Sequence, residues 1–129
     1  FVNSPSVLNI IATIIAYNEC EGWLKSLKAH IVSNIQFTQQ YLNENIPELI
    51  VRPADGCYFS WIDCSAIGYP FDEFYSRLIH EGKAGIMAGH VYGTEGEGYL
   101  RLNLACGREK LYMGLTRLVS VIKNINQGE

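Results

Sequence analysis

The sequence has few charged residues and no excess of either sign. Charged side chains make up 18% of the 129 residues, and ten Lys and Arg against thirteen Asp and Glu leave a net charge of −3. Neither sign forms a long run, so the chain lacks the basic patch by which proteins bind nucleic acid or an anionic membrane. Because 48% of the residues are hydrophobic, the composition indicates a folded globular protein and argues against disorder.

A long apolar segment is also missing. The longest one, over residues 7–17, is interrupted by Asn9 and Thr13, and it is too short to cross a bilayer. It lacks the basic flank and the cleavage site of a signal peptide. We therefore expect no membrane partner and a location in the cytoplasm.

The cysteines form no C-x-x-C pair, and their spacing matches neither a zinc site nor a small disulfide scaffold. The four are Cys20, Cys57, Cys64 and Cys106. A metal cluster built from them with His90 is the alternative, but its spacing fits known ligand patterns poorly. We expect reduced thiols and no bound metal.

The hydrophobic pattern predicts alternating helices and strands. Ser4 and Pro5 are typical of a helix start, and the helix that follows to about Asn18 is apolar almost all round. Further helices are predicted over 21–46, 70–82 and 108–126, and strands over 49–52, 57–63, 84–88 and 99–105. With no internal repeat and no low-complexity linker, residues 1–129 are expected to form one α/β domain, a two-layer α+β arrangement in which helices cover a small mixed sheet.

Three of these elements carry sharper expectations. The strand over 57–63 is apolar on both faces, which predicts a central position in the sheet. The second helix shows the stripe of an amphipathic helix, with apolar residues at steps of three, four and seven: Leu24, Leu27, Ile31, Ile35 and Leu42. The last helix places one apolar face toward the core: Leu111, Leu115, Leu118, Val119 and Ile122.

The strand over 99–105 alternates strictly and carries an arginine at its centre. Leu100, Leu102 and Leu104 point to one face, and Arg101 points to the other with Tyr99, Asn103 and Ala105. A guanidinium held on a rigid strand suits bidentate recognition of a carboxylate. An ordinary exposed sheet face with a structural arginine is the alternative that the alternation leaves open.

A glycine-rich loop over 89–98 precedes this strand. It lacks the G-K-[ST] ending of a phosphate-binding loop, and we interpret it as a mobile connection, or a lid beside a binding site. His90 and Tyr92 lie in it and could contact a ligand, although a lone loop histidine is more often simply solvated. The sequence shows neither a Ser-His-Asp arrangement nor a pair of carboxylates suited to acid–base chemistry.

Several stretches of the sequence resemble one enzyme family. The run A-G-H-V-Y-G over 88–93 and the run G-E-G-Y-L-R-L-N-L-A-C over 96–106 resemble the closing part of class I/II aminotransferases, which are pyridoxal-phosphate (PLP) enzymes of fold type I. Residues 53–63, P-A-D-G-C-Y-F-S-W-I-D, resemble a hairpin of the cystathionine β-lyase or C–S lyase branch, the MalY/PatB group. The likeness extends from Ser4 to the end of the chain.

The resemblance implies that residues 1–129 are the C-terminal small domain of such an enzyme, with residues 1–18 as an interdomain helix. The chain starts at Phe1 without an initiator Met, which is also what we expect of a fragment. By resemblance, Arg101 binds the α-carboxylate of an amino-acid substrate and Tyr92 shapes the entrance to the site. His90 stands where this branch often has a small polar residue, so a ligand contact there departs from the family pattern.

The resemblance places the cofactor chemistry in a large domain absent from this chain. We therefore assign no catalytic and no cofactor-binding residue here, and none of the lysines: Lys25, Lys28, Lys83, Lys110 and Lys123. The parent enzyme would be a dimer that uses PLP as an electron sink and releases pyruvate, ammonia and a thiol from cysteine conjugates. The chain alone would be inactive. The alternatives are a PLP-dependent aminotransferase and a non-enzymatic ligand-binding domain.

Overall fold

A computed structural model describes residues 4–53 and 55–128. The helices are α1 (Val7–Glu19), α2 (Glu21–Asn45), α3 (Phe71–His80) and α4 (Arg108–Gln127), and the strands are β1 (Ile50–Pro53), β2 (Phe59–Asp63), β3 (Met87–Ala88) and β4 (Tyr99–Asn103). The chain start at Phe1 and the turn residue Ala54, which belong to the predicted domain and hairpin, lie outside the described residues. The prediction of an α/β fold built from helices and a small sheet is confirmed.

The four strands form one sheet in the order β1-β2-β4-β3. All three strand pairs in the described residues are antiparallel, so the expectation of a mixed sheet is wrong. The reason is the connectivity: β1–β2 and β3–β4 are joined by loops without a crossover helix, and such hairpins are antiparallel. The predicted central position of β2 is confirmed.

Helices cover one face of this sheet. The core contains Leu100, Leu102 and Ile62 from the strands, Phe74 and Leu78 from α3, and the apolar face of α4. All five apolar residues predicted for that face of α4 are buried. The opposite face of the sheet carries the side chains of β4 that alternate with the leucines, and it holds the site described below.

The last two predicted strands, over 84–88 and 99–105, are longer than the observed β3 and β4, because local hydrogen bonds compete with the ladder. Before β3, the Ala84 amide donates to Leu78 O and the Ile86 amide donates to Ala84 O, so neither amide can pair with β4. At the end of β4, Asn103 Oδ1 accepts the Ala105 amide at 2.8 Å and turns the chain out of the sheet.

The buried face of α2 differs from the predicted stripe. Its fully buried residues are Asn34, Thr38 and Leu42, whereas Leu24 is exposed. Asn34 Nδ2 donates to the carbonyl oxygens of Leu104 at 2.8 Å and Cys106 at 3.0 Å. These carbonyls lie just past the end of β4 and need donors, since buried backbone groups without partners are costly. A polar residue therefore occupies a position that hydrophobic periodicity cannot predict.

The first helix begins two residues later than the sequence predicted. Ser6 rather than Ser4 is its N-cap, because Ser6 Oγ accepts the Asn9 amide at 3.3 Å. Every residue of α1 is exposed, although most are apolar. The structure contains no helix, over the residues it describes, that is both long and apolar enough to cross a membrane. Because every residue of α1 is exposed, its apolar surface lies outside the core of this domain.

Candidate functional site

Arg101 lies between two aromatic rings on the sheet face away from the helices. Its Cζ atom is 4.1 Å from the ring centroid of Phe59 and 4.0 Å from that of Tyr92. Phe59 is on β2, two pairs away from the Trp61–Arg101 pair of the ladder, and Tyr92 comes from the glycine-rich loop. Aromatic faces attract a guanidinium through their quadrupole, so the two rings clamp the Arg101 side chain.

Tyr92 is held in place by a second aromatic contact. Its ring meets Trp61 edge to face with centroids 5.9 Å apart, and Trp61 meets Tyr99 in the same way at 6.2 Å. Such arrangements are favourable beyond the area they bury. The sheet face therefore presents an aromatic wall beside the Arg101 guanidinium.

The donors of Arg101 have no acceptor among residues 4–53 and 55–128. Its side chain is half-buried and takes part in no described hydrogen bond or ion pair, and its Nε atom is buried without a partner. The edge of the guanidinium, where its N–H donors point, is therefore the part left to bind. A planar anion such as a carboxylate fits that edge with two parallel hydrogen bonds. The assignment of Arg101 to substrate binding stays a prediction.

A cleft of about 530 Å³ opens beside Arg101. Phe59, Met87 and Asn103 line it on the sheet, and the segment before β3 and the first half of α4 line the other side. Its charged lining residues are Lys83, Arg101, Lys110 and Arg117. A second cavity of about 380 Å³ lies by Tyr92 and Trp61, with Arg52 and Glu95 among its lining residues.

The glycine-rich loop is folded into two short 3-10 turns, Gly89–Tyr92 and Thr94–Gly96. Gly89 and Gly96 are both buried and face each other so closely that a Cβ on either would collide with the backbone of the other. Glycine is required where two backbones approach in this way. This contact folds the loop back over the sheet and carries Tyr92 to Arg101. The mobility predicted for the loop stays a prediction.

His90 is placed beside α3 rather than beside Arg101. Its ring centroid is 6.4 Å from those of Phe71 and Tyr75, and both contacts are edge to face. The structure thus brings together two of the three predicted site residues, Arg101 and Tyr92. It also adds Phe59, which sequence reasoning missed. Alternation placed Phe59 on an apolar face but carried no information on which residue of β4 it would meet.

Other reactive groups lie away from this site. Burial raises the pKa of the Cys64 thiol to about 12, so that cysteine is held as a neutral thiol. The hydroxyl of Ser65, at 2.6 Å, lowers the pKa of Asp63. Within the described residues, no three His, Cys, Asp or Glu side chains are grouped so that they could hold a metal ion.

Residues 4–53 and 55–128 do not by themselves form a PLP site. A Schiff-base lysine works in an enclosed pocket where its charge is disfavoured, and all five lysines here are exposed. The cleft beside Arg101 has no acidic residue in its lining, so it offers no partner for a pyridine nitrogen. The described residues therefore carry no step of PLP chemistry.

Comparisons with known proteins extend over most of the chain. No protein-family model matches it. Protein MalY of Escherichia coli K12 is 33% identical over 124 residues, which are 96% of this chain and 32% of MalY. Cystathionine beta-lyase PatB of Bacillus subtilis 168 is 32% identical over 107 residues, which are 83% of this chain and 28% of PatB. The chain thus spans under a third of the length of these relatives.

A solved structure is similar to this chain in fold as well as in sequence. A PLP-bound protein from Clostridium difficile 630, assigned as an aminotransferase, superposes with a TM-score of 0.86 at 40% sequence identity. The match covers 91% of this chain and 30% of that protein. The fold described above is therefore that of one part of a larger protein that binds PLP.

Proposed function

Since the chain belongs to the MalY/PatB branch of the fold-type-I PLP enzymes, we propose that it is the small, substrate-binding domain of a C–S β-lyase. The whole enzyme would release pyruvate, ammonia and a thiol from cysteine conjugates in the cytoplasm. PatB, a relative that matches 83% of the chain, is named as a cystathionine beta-lyase. That name supports the lyase reaction over the other reactions of the fold.

The observation that carries the proposal is the clamped and unpaired guanidinium of Arg101. The rings of Phe59 and Tyr92 hold the guanidinium in place on β4. The N–H donors along its edge have no acceptor among the described residues. A substrate α-carboxylate would satisfy those donors in bidentate geometry and would be oriented by them. The contribution of this domain is therefore to bind and orient the substrate rather than to move a proton.

Tyr92 and His90 take different parts in this proposal. Tyr92 covers one side of the guanidinium, so it limits the directions from which a substrate can approach Arg101. His90 packs against Phe71 and Tyr75, and a contact between His90 and a ligand would require its ring to turn away from α3.

The rest of the enzyme would supply the cofactor and the dimer partner. PLP, when bound, serves as the electron sink that makes the α-proton acidic. The exposed apolar surface of α1 would dock on the PLP-binding large domain, because an apolar face of that extent is otherwise left in water. Without that domain the chain would be inactive.

An aminotransferase is the second candidate. It is favoured by the assignment of the Clostridium difficile protein, whose sequence identity of 40% exceeds that of MalY and PatB. Recognition of the α-carboxylate would be the same in both reactions, so Arg101 does not distinguish them. A non-enzymatic ligand-binding domain has less support, because the relative PatB is named as an enzyme.

The test is an assay of the full-length protein. We expect it to release pyruvate from cystathionine faster than it exchanges the amino group with a 2-oxo acid, and the reverse order would favour the aminotransferase. Arg101→Lys keeps the charge but loses the planar fork, and it should raise KM for all amino-acid substrates by about tenfold or more. The PLP absorbance band should persist in this variant. An unchanged KM would overturn the role of Arg101.

A further inference from the structure

The cleft beside Arg101 is lined by charge of one sign. Its charged lining residues are the four cations Lys83, Arg101, Lys110 and Arg117, and no Asp or Glu lines it. The chain as a whole is acidic, with a net charge of −3, so these cations are concentrated here against the overall composition. A cleft lined by one sign of charge attracts ligands of the opposite sign.

The cations of the cleft are not neutralised by acidic neighbours. In the described part of the chain the ion pairs are Arg52–Asp63 and Arg77–Glu81, and no cleft cation takes part in either. The Arg117 Nη1 atom donates to Lys83 O at 2.8 Å, which ties the two residues together at one end of the cleft. Like charges held near one another repel, and an anion placed among them would relieve that repulsion.

The cations also lie on different elements around the cleft. Arg101 is on β4 with Phe59 next to it, Lys83 precedes β3, and Lys110 and Arg117 are one and nearly three turns into α4. A ligand whose α-carboxylate is bound by Arg101 would therefore have further positive charges along the same cleft. Met87 and Met113 also line it, and they could contact a thioether.

From this arrangement we infer that the enzyme prefers amino acids whose β-substituent carries a second anionic group. Lys83, Lys110 and Arg117 are the residues that recognise this group. The inference rests on the proposed function, because it takes Arg101 as the site of the α-carboxylate. The cavity beside Trp61 contrasts with this cleft, since its lining includes both Arg52 and Glu95.

The experiment compares two substrates of nearly equal size in the full-length protein. S-carboxymethyl-cysteine carries a carboxylate on its substituent, and S-carbamoylmethyl-cysteine carries a neutral amide in its place. The readout is the ratio of their kcat/KM values, measured for the wild type and for Lys83→Gln, Lys110→Gln, Arg117→Gln and the triple variant. Lys123→Gln is the matched control, since Lys123 is an exposed residue of α4 outside the cleft.

We expect each single variant to lower the ratio by about two- to fivefold, the size that a partly exposed ion pair gives. The triple variant should lower it further, and the control should leave it unchanged. Added salt should lower the wild-type ratio and have little effect on the ratio of the triple variant, because screening acts on exposed charges. Arg117→Lys keeps the charge and should retain most of the preference even if Arg117→Gln folds poorly.

The outcomes separate this inference from the proposed function. If the ratio is the same in the wild type and in the triple variant, the inference is overturned. If Arg101→Lys leaves KM unchanged for both substrates, the proposed function fails as well, because the α-carboxylate is then bound elsewhere. A loss of activity toward both substrates in the Gln variants, with the ratio kept, would also contradict the inference, because it indicates a structural role for these cations.

Discussion

The ring centroid of Phe59 lies 4.1 Å from the Cζ atom of Arg101, although the two residues are diagonal neighbours rather than direct partners in the sheet. Diagonal side chains on paired strands are within reach of each other when one is aromatic and the other is long. The guanidinium leans along the sheet toward Phe59, and this brings it beside the cleft that both residues line. The direction in which Arg101 points is therefore set by its neighbour on β2.

Replacing Phe59 tests this relationship. Phe59→Leu removes one side of the clamp and leaves an apolar side chain, so Arg101 should gain freedom and bind substrate less well. We expect KM for amino-acid substrates to rise about three- to tenfold in the full-length protein, with kcat changed less. Tyr112→Leu, which removes an exposed aromatic residue of α4, is the control. A fall in kcat at constant KM would be inconsistent with positioning of the carboxylate-binding group.

The close approach of Gly89 and Gly96 makes the loop intolerant of a side chain. Gly96→Ala would place a Cβ against the backbone of Gly89, and we expect a loss of about 1–3 kcal/mol in the free energy of unfolding. Urea denaturation of the chain measures it. Gly85→Ala serves for comparison, since an added Cβ there meets no atom within 4 Å. Equal stability of the two variants would show that the loop can relax.

The amide of Asn34, a polar residue on the buried face of α2, should contribute to the stability of the domain. Asn34→Ala leaves the carbonyls of Leu104 and Cys106 without this donor, and we expect a loss of about 2–3 kcal/mol. Asn43→Ala on the exposed side of α2 should change stability by less than about 0.5 kcal/mol. Thermal unfolding followed by circular dichroism gives both values, and a similar Tm for the two variants would contradict the role of Asn34.

The ionised carboxylate of Asp63 should stabilise the folded protein in a pH-dependent way. Hydrogen bonds from Ser65 lower the pKa of this carboxyl below its usual 3.8. A lowered pKa in the folded state means that the ionised form stabilises the protein above pH 3.8, and that this contribution is lost as the pH falls through the folded-state pKa. Asp63→Asn should therefore be less stable than the wild type at pH 7, by about 1 kcal/mol.

Below the folded-state pKa of Asp63, the wild type and Asp63→Asn should converge in stability, because both then carry a neutral side chain at position 63. Denaturation midpoints between pH 7 and pH 2 follow the difference, so that the series extends well below the usual pKa of 3.8. Asp55→Asn, in an exposed turn, should show no such convergence. A constant gap between wild type and Asp63→Asn over the whole range would mean that the charge of Asp63 contributes nothing.

The sequence allowed most of the fold to be predicted because hydrophobic periodicity reports directly on burial. The apolar face of α4, the central position of β2 and the outward direction of Arg101 all follow from alternation or helical spacing. Contacts between residues that are distant in the chain could not be predicted from hydrophobic periodicity. Asn34 is buried because two carbonyls some seventy residues away need a donor, and Phe59 meets Arg101 because of the register between β2 and β4.

The placement of His90 was missed for the same reason. Its position in a loop beside the strand of Arg101 suggested a ligand contact, whereas the turn at Gly89–Tyr92 directs its ring toward α3. Likewise, the family pattern around Arg101 pointed to this residue as the candidate for carboxylate binding, but nothing in the pattern identified the other cations of the cleft. Only the packing of α4 against the segment before β3 brings Lys83 and Arg117 together.

The exposure of every residue in α1 has a consequence for the energetics of the chain on its own. The heat capacity of unfolding arises from apolar surface that becomes hydrated, and every large apolar residue of α1 already exposes at least 44% of its surface. Its melting should therefore add little to a calorimetric transition, which should reflect the remainder of the domain. A helix of 13 residues without tertiary support is marginal in water, so its backbone amides should exchange with solvent far faster than those of α4.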